Sequence, residues 1–533
     1  MAQIPFRANL QTQSFPLLSE LSGRTVIVGQ QDQNYVRGVN GGENGVPPDI
    51  GIPQIYYGHN IMPSTYGLQS VGYSTVFSGI DWGGVTPSSV IFRVCHFIQG
   101  AQIVSGRPAS TGFRSYIAMP KVGANSVFVI NPTTGQWRRV NGAPATAVDT
   151  VITVATVNGV SYIFFSKIGC YIYNNLTNTL VARPLAGLAM NTVLGIVSSN
   201  GYLFAYTPTA VAWSSVVDVE DFTPTDTSGA GGGNVQEAEG NMVTARTTPL
   251  GLILYTTANA VSVIYSGNAD FPWNFKSIPG AGGISKSELV SVDQTGGFHQ
   301  AYTTNGIQQI GHTGAKTTAP QITDFISGKT FEDYNAILNE FTVTKFNWSM
   351  QKQLNVVADR YLVVSYGLQP LETMTHALVL DLVQGRMGKF RMTHNYCFEL
   401  TSLTSAGTDD PRGNIALLDA DGTVRAVNFG AGAGFDDSVL LLGKYQYVRQ
   451  RMLELFEVEM ENVETSASFQ LRAIPTLNGK THLDPQVGYL QETAENYRRF
   501  TFDGMVGTNI SLALKGKFNL MSLVLWFAPH GRR

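Results

Sequence analysis

The sequence predicts an all-β protein, built as a β-propeller with an extended N-terminal arm and a C-terminal antiparallel, sandwich-like domain. Three observations carry that prediction. Short apolar-alternating runs broken by turn residues fill the middle of the chain, and their hairpins recur at intervals close to those of four-stranded blades. The first 63 residues lack any period, being rich in Gln, Asn, Gly and Pro. From Tyr445 the strands lengthen and carry more charge, as in KYQYVRQRMLELFEVEMENVE.

The arm comes first. Its centre, QQDQNYVRGVNGGENGVPPDIGIPQ, holds too few apolar side chains to bury a core, so it is either disordered or laid over another surface. Tyr35, Val36, Ile52, Ile55, Tyr56 and Tyr57 give it apolar footholds and favour the second alternative. The boundaries expected are an arm over 1–63, a propeller over 64–442 and a C-terminal β domain over 443–533.

One turn residue from each clear hairpin gives Asn131, Asn174, Thr207, Thr256, Thr303, Asp381 and Asp419. Subtracting positions gives separations of 43, 33, 49, 47, 78 and 38 residues, mostly near the roughly 40 to 50 of a propeller blade. The long interval implies an insertion near Lys329 to Lys352, where FEDYNAILNEF suits one or two helical turns. Neither a regular Trp-Asp ending nor a kelch glycine doublet accompanies these hairpins.

Charged residues are 14% of the 533, against about 25% in an ordinary soluble chain. Uncharged polarity must cover the surface, a composition suited to β proteins packed among neighbouring subunits. A net charge of −3 offers no footprint for tight nucleic-acid binding, although a protein that only surrounds a sliding duplex does not need one. Cys95, Cys170 and Cys397 stand in apolar strand contexts and are expected to be free buried thiols. No run approaches the roughly 20 apolar residues of a membrane span, and the first 21 residues hold no signal-peptide core, so synthesis in a cytoplasm is expected.

The chain is organised around Ala212 to Pro224, AWSSVVDVEDFTP, and the hairpin LGLILYTTANAVSVIYSG after it. Trp213, Ser214 and Ser215 end a strand, and Asp221, Phe222 and Pro224 mark a chemically specified corner. Ser228, Gly229, Gly231, Gly232 and Gly233 belong to a tract with almost no side-chain volume, expected to be a mobile or tightly apposed loop. Tyr265 closes the hairpin, followed by Phe271-Pro272-Trp273-Asn274-Phe275 and Gly282-Gly283. This ordered series, continuing through Tyr302 to Gly306 and Ile322 to Phe325, resembles the central region of the tail hub or nozzle proteins of short-tailed bacteriophages. About 130 residues share the order. The resemblance implies a six-bladed propeller, while the seven hairpins leave seven blades open.

No catalytic constellation emerges. His59, His96, His299, His312, His376, His394, His482 and His530 are scattered, with no two within five residues, so the local pairing typical of zinc sites is missing. GGISKS and GHTGAKT lack phosphate-loop spacing, and no GxSxG elbow occurs. Asp419-Ala420-Asp421-Gly422 could be half of a calcium loop, but a hairpin turn with Gly422 at positive φ accounts for it better. No cofactor or metal is expected, and no enzymatic activity.

The resemblance implies a structural virion protein, made in the host bacterial cytoplasm and built into the tail. It would be a homo-hexamer below the portal and adaptor, retaining and then conducting double-stranded genomic DNA without sequence preference. Tail fibres or spikes, and a distal needle, would be further partners; no membrane insertion by this chain is expected. The alternative is a carbohydrate-binding or glycoside-cleaving propeller. Trp213 and Trp273 could stack on sugars, but core packing explains them more simply, and no carboxylate pair can be assigned to flank a glycosidic bond.

Overall fold

The computed structural model describes residues 4–9, 55–63, 68–82, 92–120, 127–147, 150–225, 227–268, 272–291, 297–318, 352–367, 373–383, 387–401, 414–428, 438–446, 452–461, 464–465, 469–477, 480–481, 486–494, 497–520 and 522–530. Seven antiparallel sheets follow one another along the chain and form the blades of a β-propeller. Blade 1 runs from Phe92–Val104 through Arg107–Pro120 and Phe128–Asn131 to Gln136–Arg139, with Ile80–Asp81 added in parallel at its outer edge. Blade 2 has Ile152–Val157, Val160–Phe165, Gly169–Asn174 and Thr179–Ala182. Blade 3 has Gly195–Ser199, Tyr202–Tyr206, Ala210–Trp213 and Gly231–Asn234; blade 4 has Met242–Thr248, Gly251–Thr256, Ala260–Tyr265 and Trp273–Ser277.

Blade 5 contains Phe298–Thr303, Gly306–Gly311 and Gly314–Thr317, its inner edge made by Val290 bridging Ala301. Blade 6 contains Lys352–Val357, Tyr361–Tyr366, Met374–Asp381 and Met387–His394. Blade 7 takes Tyr396–Glu399, Ile415–Leu418 and Val424–Asn428 from one stretch and its outer strand, Gly72–Phe77, from far upstream. Joining an early strand to the last blade closes the ring.

The resemblance favoured six blades, with seven left open by the hairpins; the described residues form seven. Each of the seven turn residues identified in the sequence falls in, or directly after, a strand of a different blade. Their uneven spacing arises because some mark the turn between second and third strands and others that between third and fourth. Of the helical insertion expected near Lys329 to Lys352, residues 329–351 lie outside the described residues, and Lys352 opens the first strand of blade 6.

Strand chemistry follows from this geometry. A second strand of a blade is covered on both faces by neighbouring blades, so it needs apolar residues at every position rather than at alternate ones. Val160–Phe165, Tyr202–Tyr206, Gly251–Thr256 and Tyr361–Tyr366 are buried throughout. Burying one such large apolar side chain stabilises the fold by about 1.5–3 kcal/mol. Inner and second strands are joined by tight turns, such as Asn158-Gly159 with φ of 52° and 75° and Asn200-Gly201 with 49° and 82°. Two successive positive φ values match the right-handed twist of the strands they join, and Asn-Gly is the dipeptide that tolerates them.

The C-terminal region forms two antiparallel sheets. One is ordered Ile4–Asn9, Ser522–His530, Met452–Glu461, Tyr497–Gly507, Tyr489–Ala494. The other runs Ile55–His59, Val439–Gln446, Asn509–Lys515, Gln470–Leu477, Lys480–Thr481, with Gln486–Val487 also pairing Gln470–Leu477. Leu440, Leu512 and Leu514 from one sheet meet Val458, Phe500 and Leu525 from the other in a single core, which continues into Leu362, Val364 and Leu378 of blade 6. Two segments of the expected arm thus serve as edge strands of this sandwich. Ile61–Pro63 and Leu68–Ser70 extend the blade 6 sheet, joined there by Phe518–Leu520 and Glu464–Thr465. Tyr35, Val36 and Ile52 lie outside the described residues.

Candidate functional site at the rim of blades 3 and 4

The residues that carry the sequence motif lie at two neighbouring junctions, Phe222 between blades 2 and 3, and Trp213, Tyr265 and Trp273 between blades 3 and 4. Trp213 ends the third strand of blade 3, and the chain then folds into a closed corner. Ser214 N–H donates to the Leu203 carbonyl at 2.9 Å, and Ser214 Oγ accepts from Leu203 N at 3.0 Å. Ser215 N–H donates to the Asp221 carbonyl at 2.8 Å, closing the loop, while Asp221 Oδ1 accepts from Thr223 N at 2.9 Å. Phe222 N–H donates to the Ala186 carbonyl at 2.8 Å, and its ring is buried among Leu185, Ile196 and Ala205. The corner therefore staples blade 3 to the linker leaving blade 2, reinforced by Arg183 Nε donating to Glu220 Oε1 at 2.7 Å. Pro224 follows, exposed, where no backbone donor is needed.

The glycine tract, expected as a mobile or tightly apposed loop, is tightly apposed but largely a strand. Ser228 and Gly229 stand in a turn, but Gly231, Gly232 and Gly233 are part of the outer strand of blade 3. Trp213 pairs with Gly231 and Val211 with Gly233. The reason is steric. A Cβ on Gly231 would lie 2.7 Å from the Trp213 ring, and one on Gly232 would lie 2.6 Å from the Val211 carbonyl oxygen. Residues without side chains let the outer strand close over the indole. Trp213 Nε1 then donates to the Gly229 carbonyl at 3.1 Å.

Tyr265 and Trp273 face each other across the third and fourth strands of blade 4. The Trp273 ring inserts toward blade 3, 4.5 Å from Phe204 in an edge-on geometry and 5.4 Å from Tyr202, with Tyr265 at 5.2 Å. Phe275 lies 6.5 Å from Trp213. Burial, with Tyr265 beside it, raises the pKa of the Tyr202 phenol above its ordinary value. The motif thus seals a blade junction.

Above this seal opens a cleft of about 550 Å³ lined by Asn234, Gln236, Glu237, Ser266, Asn268, Trp273, Asn274 and Phe275. Trp273 is 7% exposed, and its buried indole N–H has no acceptor among the described residues. Sequence reasoning named Trp273 for this region but missed the amides. Asn234 and Gln236 directly follow the glycine tract, and Asn274 adjoins the indole, so the signal was an amide cluster split between two strands.

A second space lies on the propeller axis, about 300 Å³, walled by the innermost segments of all seven blades. Its polar lining includes His96, Arg246, Glu288, Asn355, Tyr396 and Glu399. Burial, then the Arg246 charge, lowers the His96 pKa to about 4. Burial likewise raises Glu399 above the ordinary carboxylate range. At about 30 Å³ per water this space holds on the order of ten waters. A duplex, whose major groove alone is about 12 Å wide, does not pass through it.

Elsewhere the titratable groups are structural. His299, His312 and His394 are buried, each with both ring nitrogens hydrogen-bonded. Cys95, Cys170 and Cys397 are free and buried, and burial pushes the Cys397 thiol up to about 12. The Asp419 to Gly422 segment is a hairpin turn with Gly422 at φ 86°; Asp419 pairs with Arg425, and Asp421 Oδ1 accepts from Thr423 N. No group of three or more metal-ligating side chains occurs among the described residues, nor any helix long and apolar enough to cross a membrane.

No family model matches the chain, and no curated protein matches it. Solved structures similar to it include the WD40 β-propeller domain of Doa1, at 9% identity and a TM-score of 0.36, covering 68% of this chain and 98% of that one. BamB from Moraxella catarrhalis is 12% identical with a TM-score of 0.31, covering 65% and 100%. YCF48 bound to D1 peptide is 11% identical with a TM-score of 0.37, covering 70% and 99%.

Proposed function

We propose that this chain is a structural subunit of the tail nozzle or hub of a short-tailed bacteriophage. The observation that carries the reading is the ordered series from Trp213 to Gly306, parts of which form a stapled corner, a glycine strand closing on an indole, and an aromatic seal between blades. Gly283 belongs to it as well, since a Cβ there would meet the Thr257 carbonyl at 2.1 Å. Subunits form a hexameric ring below portal and adaptor, and the genome passes between propellers rather than through one. The narrow axial space supports that arrangement. Weak net charge lets DNA slide instead of being held by its phosphates. Fibres or spikes attach at the rim, and the ring retains the genome until ejection.

An antibody against residues 452–530 tests this on purified short-tailed virions of the source phage. Label confined to the tail below the portal supports the reading. Virions that lack the chain by mass spectrometry, or carry it only on distal fibres, overturn it and favour the carbohydrate-directed propeller.

A further inference from the structure

We infer that the space on the propeller axis is a binding site for a small zwitterion the size of a free amino acid, held by two opposite charges in its walls. This role is separate from ring formation and does not depend on it. At about 300 Å³ the space stands at the small end of the roughly 300–1,000 Å³ of ligand sites. An amino acid fits there, whereas a folded chain does not.

The walls carry charges that the protein leaves unmatched. Arg246, on the inner strand of blade 4, spends its hydrogen bonds on neutral oxygens. Its Nη1 donates to Thr244 Oγ1 at 3.0 Å and to the Ala245 carbonyl at 3.3 Å, and its Nη2 to the Ser287 carbonyl at 3.0 Å. Its Nε is sealed in the wall, so a ligand meets the guanidinium through Nη2, which has a second N–H. No carboxylate among the described residues pairs with Arg246, and Glu288, next to Ser287, pairs with no cation there. Charges held away from bulk water are ordinarily matched.

Both charges also act on one phenol. Burial raises the Tyr396 pKa, the Glu288 charge adds to the rise and the Arg246 charge opposes it. The Glu288 carboxylate and the Tyr396 hydroxyl have no hydrogen-bond partner among the described residues. Both residues are half-buried, and neither polar end is among the sealed, unbonded atoms, so a molecule in the space reaches them.

This arrangement selects the ligand class. A carboxylate accepting from Arg246 and an ammonium donating to Glu288 form charge-assisted hydrogen bonds, roughly twice as strong as neutral ones. A purely anionic ligand faces Glu288 and Glu399 in the same walls, and a purely cationic one faces Arg246. Tyr396 adds a neutral hydroxyl. His96 stays uncharged near neutral pH, with the Ile152 carbonyl beside one ring nitrogen and the other left for the ligand.

Calorimetric titration of the full chain with the common amino acids tests the proposal, with succinate and putrescine as probes that carry one sign of charge only. At least one amino acid is expected to bind, and neither single-sign probe to displace it. Glu288→Gln, which keeps the shape and removes the charge, is expected to weaken binding about tenfold, and Tyr396→Phe severalfold. Arg246→Lys should retain binding that Arg246→Met loses; if an Arg246 variant fails to fold, Glu288→Gln and Tyr396→Phe decide. Absence of binding by every amino acid overturns the site and leaves water bridging the two charges. Binding of succinate alone or putrescine alone, or amino-acid binding indifferent to Glu288→Gln and Tyr396→Phe, overturns it as well.

Discussion

Blade 4 meets its two neighbours in opposite ways. Toward blade 3 the junction is sealed by rings, with Trp273 set among Phe204, Tyr202 and Tyr265. Toward blade 5 an apolar core of Ile253, Ile284 and Ile310 is joined by a buried polar network. His299 Nδ1 and the Tyr255 hydroxyl are 2.8 Å apart, and His299 Nε2 donates to the Thr247 carbonyl at 3.0 Å. His312 joins Thr248 Oγ1 and Ser262 Oγ, each at 2.6 Å. The first junction depends on buried area and shape. The second depends on partners being present in the correct protonation state, because an unmatched polar group in that interior is costly.

The sharpest break of this comparison is Trp273→Ala, which empties the aromatic seam. A loss of about 3–5 kcal/mol is expected from chemical denaturation of the propeller, and it should be the same at pH 5 and pH 7. Next in size is His299→Ala, which leaves the Tyr255 hydroxyl and the Thr247 carbonyl without their partner. It is expected to cost about 2–3 kcal/mol at neutral pH, with Tyr255→Phe costing less because only one bond is lost.

The two junctions also differ in how they answer acid. Burial lowers the His299 pKa to about 4, from an ordinary value of 6.5, and lowers that of His312 as well. Unfolded histidines take up protons below about pH 6.5 while these remain neutral in the fold, so the unfolded state binds more protons in that window. Stability is therefore fully present above pH 6.5 and falls as pH drops toward 4, by at most about 1.4 kcal/mol per pH unit per histidine. His394, also held near 4 by burial, adds to the same slope. Measured across this window, His299→Gln should flatten the acid slope, whereas Trp273→Ala should leave it unchanged.

The smallest expected effect is that of Gly232→Ala. Its Cβ would meet the Val211 carbonyl oxygen at 2.6 Å, so the outer strand of blade 3 must shift, at a cost of about 1–3 kcal/mol. Loss of hydrogen-exchange protection confined to Gly231–Asn234 would locate the damage.

These differences explain what was legible in the sequence. The hairpin turns were visible because turn chemistry is local: Asn305-Gly306 and Asp419-Ala420-Asp421-Gly422, for example, announce their own conformation. The aromatic seam was visible because Trp213, Tyr265 and Trp273 stand out against their neighbours. The histidine seam was not, since His299 and His312 are 13 residues apart and their partners lie on another blade. The glycine tract was misread because small residues suit a free loop and a tight strand equally; only the Trp213 ring lying against it decides. The amides of the rim cleft, divided between Asn234 and Asn274, become a cluster only when two outer strands are brought side by side.

Mass and symmetry test the central claim most directly. Light scattering and negative-stain images of the native chain, alone and mixed with its portal-proximal partners, should give six-fold rings with an open centre at roughly 346 kDa, six times 57.7 kDa. A persistent monomer or trimer that ignores those partners would contradict it.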